Sequence, residues 1–229
     1  MNQNKKTYAI ILAGGVGSRM GASVPKQELC LLGKSILAHT IEAFVRAQTI
    51  DGIVVVVRAG EEQYARALLS SSLKHILVVT GGEVRSESAR RGVLAADADF
   101  VAIHDAARPL IHPDDIDRVV RTAWQTGAAS AVSRVYDTVK EIGKEGEILR
   151  TVDRNTLCLA STPQIFQRTL YLEAFSRVGE ASAALTDDNM LLEKIGKSVS
   201  GVLLKYSNPK ITTADDLLLA EFLLERRSI

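Results

Sequence analysis

Ile53-Val54-Val55-Val56-Val57 is a run of five β-branched residues with no polar position in it. A strand with one wet face alternates apolar and polar side chains. An unbroken run therefore belongs to a strand covered on both faces, the condition of a mostly parallel sheet between helix layers. Ile76–Val79 repeats the pattern. Apolar β-type segments at 7–13, 99–104 and 129–133 complete a series that alternates with helical periodicity at 35–47, 61–71, 86–96 and 113–126. The alternation predicts a Rossmann-like three-layer α/β sandwich with right-handed crossovers. In such folds ligands sit outside the carboxyl ends of the strands.

The first such junction is the richest. Tyr8-Ala9-Ile10-Ile11-Leu12 feeds a loop that holds Gly14, Gly15, Gly17 and Gly21 together with Arg19 and Lys26. Glycines let a ligand approach the backbone and leave amides facing phosphate oxygens, and the two cations supply countercharge. Two standard phosphate motifs are excluded. The dinucleotide fingerprint needs a third glycine at position 20, which is Met20, and a Walker A loop ending at Gly33-Lys34-Ser35 needs a glycine at position 28, which is Glu28. Gly33 reads instead as a turn and Ser35 as the N-cap of the helix that follows.

Composition excludes several other classes. The 229 residues carry a formal charge of +1, which gives no electrostatic case for nucleic acid or an anionic membrane. The apolar runs are far shorter than the roughly 20 residues of a membrane span, and the N-terminal residues show no signal-peptide pattern. Cys30 and Cys158 lack metal-ligand spacing and read as two buried, reduced thiols. The expectation is one cytoplasmic domain over 1–229.

Polar clusters recur at the later junctions. Gly81-Gly82-Glu83-Val84-Arg85-Ser86-Glu87-Ser88 suits recognition of a base or ribose, or else Ser86 or Ser88 caps a helix. Asp105, in His104-Asp105-Ala106-Ala107-Arg108-Pro109, stands where a strand ends, well placed to hold a Mg²⁺ bound to phosphates, or else pairs with Arg108. His104 alternates away from it and reads as a core group. Ser161-Thr162-Pro163-Gln164 and Thr186-Asp187-Asp188 each read alone as a cap or turn, and Lys210 would follow a strand at 199–204. Between 134 and 156 the helix–strand alternation breaks. Tyr136–Ile142 and Ile148–Val152 alternate in polarity around Gly143-Lys144-Glu145-Gly146, a hairpin signature. An isolated hairpin is marginal in water, so this arm is expected to pack on a partner chain. Helices at 168–178, 187–195 and 213–227 close the chain.

Taken in order, LAGGVGSRMG with PKQ, GGEVRSES, HDAARP, DTVK, TVDRN, TPQIF, LTDD and NPKIT make the chain resemble the 2-C-methyl-D-erythritol 4-phosphate cytidylyltransferase family over essentially its whole length. The resemblance implies a nucleotide-diphospho-sugar transferase type of fold and the transfer of a cytidylyl group from CTP to a polyol phosphate with a divalent cation. It implies that Arg19, Lys26, Arg154 and Lys210 are catalytic and that Ala13, Gly14, Gly15, Gly17, Gly82, Glu83, Arg85, Ser88 and Ala106 bind the nucleotide. Asp105, Arg108, Thr138, Arg154, Thr162, Thr186 and Lys210 would meet the polyol phosphate, with Asp105 also on the metal. It further implies a homodimer in which Arg154 reaches the partner's site on the arm. Gly15, Glu28, Ser133 and Pro209 depart from the usual family pattern, and none of them removes a charged group. Ribitol-5-phosphate cytidylyltransferase is the related alternative.

Overall fold

The computed structural model describes residues 5–15, 29–68 and 74–227. Thr7–Leu12 forms β1 and leads toward the glycine loop; Gly17, Arg19, Gly21 and Lys26 lie outside the described residues. A small ladder of β2 (Cys30–Leu31) and β3 (Lys34–Ser35) turns through Gly33, whose φ of 76° suits a residue without a Cβ. Ser35 Oγ then accepts from the Ala38 amide and caps α1 (Ile36–Arg46), as expected. The all-apolar run is the interior of β4 (Gly52–Val57), every residue of which is buried.

Next come α2 (Glu62–Leu68), β5 (His75–Thr80), α3 (Arg85–Ala95), β6 (Phe100–Asp105) and α4 (Pro113–Thr126). The C-terminal half holds β7 (Ala128–Arg134), β8 (Val139–Ile142), β9 (Ile148–Val152), β10 (Cys158–Gln167), α5 (Arg168–Val178), α6 (Asn189–Lys194), β11 (Ser200–Leu203) and α7 (Ala214–Arg227).

Seven strands make one sheet in the order β11-β7-β10-β6-β1-β4-β5. The pairs β1–β4, β1–β6, β4–β5 and β11–β7 are parallel. Successive residues of β1 point to opposite layers. Ala9 and Ile11 join a core built with α1, α2 and α4, whereas Tyr8 and Ile10 join one built with α3, α5 and α6. This is the expected three-layer sandwich. From β1 the chain steps to β4 and β5 on one side and to β6 on the other, so the strand ends on both sides of β1 open onto a switch point.

Three expectations need correction. The segment around Ser161–Gln164 is not a cap or turn; it belongs to β10, which runs antiparallel between β6 and β7. Its hidden strand character follows from a register shift between Ala160 and Gln164, where Ser161, Thr162 and Pro163 interrupt the ladder to β7 and blur any strand periodicity. Cys30 and Cys158 are exposed, not buried. Neither Ser86 nor Ser88 caps α3, whose N-cap is Val84.

Candidate active site

Asp105 is the last residue of β6 and sits at the ligand edge beside the end of β1, because the β1–β6 register pairs it with Leu12. The loop after it is stitched in place by the backbone. The Ala106 amide donates to Leu12 O, the Arg108 amide donates to Asp105 O, and Thr40 Oγ1 donates to Ala106 O. Ala13 and Ala106 are both buried at this edge. Ala13 continues the sheet by donating to Val56 O, and Gly14 and Gly15 follow it. A Cβ on Gly14 would come within 3.5 Å of Arg58, while one on Gly15 would meet nothing within 4 Å among the described residues.

Three cations converge on the Asp105 carboxylate. Lys210 Nζ is 2.8 Å from Oδ2, Arg85 contacts Oδ1 through Nη2 at 3.3 Å and Nε at 3.4 Å, and Arg108 Nε stands 3.9 Å from Oδ2. Burial pushes this carboxyl upward, but Arg85, Lys210 and Arg108 together outweigh it and hold it well below the usual carboxylate range. Asp105 is therefore an anion at any working pH.

Lys210 reaches Asp105 because its own segment is sewn to the β6 loop. The Ile211 amide donates to Ala107 O, Arg108 Nη1 donates to Asn208 O, and Asn208 Nδ2 donates to Thr162 O. Farther upstream, the buried Asp115 of α4 accepts from the Lys205 and Tyr206 amides. Two buried polar atoms beside this junction, Arg108 Nε and Asn208 Oδ1, have no hydrogen-bond partner among the described residues. One is a donor and the other an acceptor.

Arg85 is bound to two acids at once. Its Nη1 lies 2.7 Å from Asp188 Oδ2, and Asp188 also accepts from Tyr171 at 3.0 Å. Burial works against the Arg85 charge, yet Asp188 and Asp105 raise its pKa above the ordinary value. Complete burial raises the Asp188 carboxyl, against the pull of Arg85 and the Tyr171 hydroxyl. Gln164 of β10 locks this corner by accepting from the Asp188 amide and donating to Asp187.

In the loop between β5 and α3, the Gly82 amide donates to Ser88 Oγ at 3.0 Å, and a Cβ on Gly81 would come within 2.7 Å of that same oxygen. Glu83 is exposed at the tip of the loop, and the N-terminus of α3 has no side-chain cap. Thr186 is exposed and bonds Met190.

Thr138 and Arg154 sit on the arm, both exposed. Arg154 donates to Tyr136 O, and no described contact joins either residue to Asp105. The arm also exposes Tyr136, Ile142, Ile148 and Leu149. Four groups escaped the sequence reading: Asn208, Asp188, Tyr171 and Gln164. Asn208, Asp188 and Gln164 lie inside quoted motifs, but their partners are remote in sequence and leave no local signal.

A cluster of three or more potential metal ligands is absent among the described residues. Asp105 supplies a carboxylate at the ligand edge beside the end of β1. That donor set fits an ion that brings most of its ligands with it as phosphate oxygens and takes one carboxylate from the protein.

Known proteins resemble this chain over nearly its whole length. The profile of the 2-C-methyl-D-erythritol 4-phosphate cytidylyltransferase family matches residues 7–226. A protein of that name from Pelotomaculum thermopropionicum is 40% identical over 227 residues, spanning 97% of this chain and 95% of the relative. Another from Desulforamulus reducens is 41% identical over 225 residues, with 96% of each chain covered. Among solved structures, the 4-diphosphocytidyl-2C-methyl-D-erythritol synthase of Anaerococcus prevotii superposes with a TM-score of 0.86 at 28% identity, covering 97% of each chain. With a glycine loop and a caged carboxylate at the switch point of such a sheet, this chain belongs to the 2-C-methyl-D-erythritol 4-phosphate cytidylyltransferase family.

Proposed function

We propose that the chain transfers the cytidylyl group of CTP to 2-C-methyl-D-erythritol 4-phosphate, giving 4-diphosphocytidyl-2-C-methyl-D-erythritol and pyrophosphate in non-mevalonate isoprenoid synthesis. The observation that carries the reading is the Asp105 carboxylate held by Lys210, Arg85 and Arg108 beside the end of β1. A phosphate oxygen of the polyol attacks the α-phosphorus of CTP in line. The new P–O bond forms as the bond to the β-phosphate oxygen breaks, and pyrophosphate leaves with that electron pair. The nucleophile is already anionic, so the protein's task is to position two polyanions and neutralise their charge.

In this reading Ala13, Gly14, Gly15 and Gly17 cradle the triphosphate while Arg19 and Lys26 offset the charge that grows on it. Gly82, Glu83, Arg85, Ser88 and Ala106 frame the nucleoside. Asp105 accepts from polyol hydroxyls, Arg108 and Lys210 hold the polyol phosphate, and Thr162 and Thr186 line that pocket. A magnesium ion, when bound with CTP, would take one oxygen of Asp105 and offset triphosphate charge. The chain acts as one domain whose arm, about 134–156, embraces a second copy and lends it Thr138 and Arg154. The exposed Ile142, Ile148 and Leu149 supply an apolar surface for that contact. Both substrates are polyanions that do not cross membranes unaided, which supports a cytoplasmic site of action.

The test is pyrophosphate release from CTP with methylerythritol phosphate and ribitol phosphate side by side. Turnover should be strongly selective for methylerythritol phosphate; preference for ribitol phosphate would overturn the assignment.

A further inference from the structure

His104 carries no role in the reaction as described, yet it is completely buried and both ring nitrogens are engaged. Nε2 lies 3.1 Å from Arg108 O, and Nδ1 lies 3.0 Å from Thr162 Oγ1. A carbonyl can only accept, so Nε2 bears the hydrogen. In a neutral ring Nδ1 is then an acceptor, and the Thr162 hydroxyl must donate to it. The same Thr162 oxygen accepts from the Asp105 amide at 3.3 Å. Donor and acceptor roles are thereby fixed along one chain, from the Asp105 N–H through Thr162 and His104 to the Arg108 carbonyl.

The sheet explains why this chain exists. The β6–β10 ladder pairs Gln164 with Ile103, and continuing its antiparallel register by two steps sets Thr162 opposite Asp105. Pro163 has no amide to donate, and the β10 register shift falls at this point. A side-chain hydroxyl thus receives the last β6 amide where the regular ladder ends. Phe44 packs against the imidazole at 4.9 Å between ring centroids.

We propose that His104 is a positioning residue: as the Nε2–H tautomer it anchors Thr162 under the Asp105 amide and holds the Arg108 carbonyl inward, so that the Asp105 carboxylate and the Arg108 guanidinium face the polyol phosphate in one register. The Thr162 hydroxyl spends its hydrogen on this link, so toward substrate it can act only as an acceptor. The proposal rests on the functional reading above, in which Asp105 and Arg108 meet the polyol phosphate.

Two substitutions separate positioning from bulk. His104→Phe keeps a ring against Phe44 and removes both hydrogen bonds. His104→Asn keeps an acceptor near the Nδ1 position for Thr162. In the full-length enzyme, His104→Phe should lower kcat/KM for methylerythritol phosphate by about tenfold to a hundredfold, the scale of a misplaced binding group. KM for CTP should stay near the wild-type value, and His104→Asn should recover most of the loss. The ¹⁵N spectrum of the wild-type imidazole should show a protonated Nε2 and a bare Nδ1. Undiminished kcat/KM in His104→Phe would overturn the proposal. So would equal losses in both variants, parallel losses for both substrates, or an Nδ1–H tautomer. A wild-type enzyme inactive on the polyol phosphate would instead sink the functional reading, and the imidazole spectrum would still decide the relay.

Discussion

Lys210 Nζ lies 2.8 Å from Asp105 Oδ2 across a separation of 105 residues. The contact joins the end of β6 to the segment between β11 and α7, and it places a positive charge beside a mostly buried carboxylate. Arg85 and Arg108 share the same carboxylate, so Asp105 is the hub that lets three cations crowd one corner.

Asp105→Asn keeps the shape of the hub and removes its charge. Three cations would then repel one another in a mostly buried corner. We expect kcat/KM for the polyol phosphate to fall by about a hundredfold or more, the scale of losing one electrostatic group from such a site. Thermal melting should show a destabilised fold, because Arg108 has no other carboxylate partner among the described residues. Pyrophosphate release and a melting curve measure the two effects, and an unchanged kcat/KM would remove Asp105 from the site.

Arg19→Ala and Lys26→Ala should each abolish turnover, by about a hundredfold to a thousandfold in kcat. The circular dichroism spectrum should be unchanged. Near-wild-type kcat in either variant would show that the glycine loop works without that cation.

Arg154→Ala should chiefly weaken use of the polyol phosphate. Mixed with Lys26→Ala it should regain activity, because one of the two sites in a mixed dimer would keep both an intact loop and an intact arm. Mixed dimers that form without regaining activity would refute a shared site.

Gly92 of α3 lies directly on the sheet. A Cβ there would come within 2.4 Å of Ile10 Cγ2 and 2.8 Å of Val56 Cγ2. Gly92→Ala gains helix propensity but overpacks this layer, and overpacking typically costs about 1–3 kcal/mol. We expect Tm to drop by several degrees, at roughly 2–4 °C per kcal/mol for a chain of this size. A raised Tm would mean that α3 can lift off β1 and β4 without penalty.

Thr213 and Asp216 cap α7 reciprocally. The Asp216 amide donates to Thr213 Oγ1, while the Asp216 carboxylate accepts from the Thr213 amide and from the Thr212 amide and hydroxyl. Those bonds, the Thr212 hydroxyl first, pull the carboxyl down to about 2 from its ordinary 3.8. Because the folded value is the lower one, the contribution is fully present above pH 3.8 and is lost as pH falls toward 2. Thr213→Ala should cost about 1 kcal/mol at neutral pH, the usual loss of an N-cap. Asp216→Asn should flatten the stability profile between pH 4 and 2; an unaltered acid profile would show that the cap contributes nothing there.

The chain alone was enough for much of this architecture. Ile53–Val57 announces a strand buried on both faces because its own side chains report their surroundings, and the amphipathic segments do the same for the helices. The hairpin of β8 and β9 is equally local. β10 was not legible, since its irregular stretch at Ser161–Pro163 hides the strand period and its place between β6 and β7 is settled by remote partners. The exposure of Cys30 and Cys158 likewise depends on what packs nearby, which residue type does not disclose.

For the glycine loop and the charged candidates the same division holds. Sequence determined that Asp105 ends a strand and that cationic segments follow other strands, because strand ends and turn chemistry are local properties. Only the tertiary structure decided that Arg85, Arg108 and Lys210 share one carboxylate, that Asp188 holds Arg85, and that the His104 tautomer is set by Arg108 and Thr162. Those pairings depend on strand order and register, which bring together groups up to 105 residues apart and which no single segment encodes.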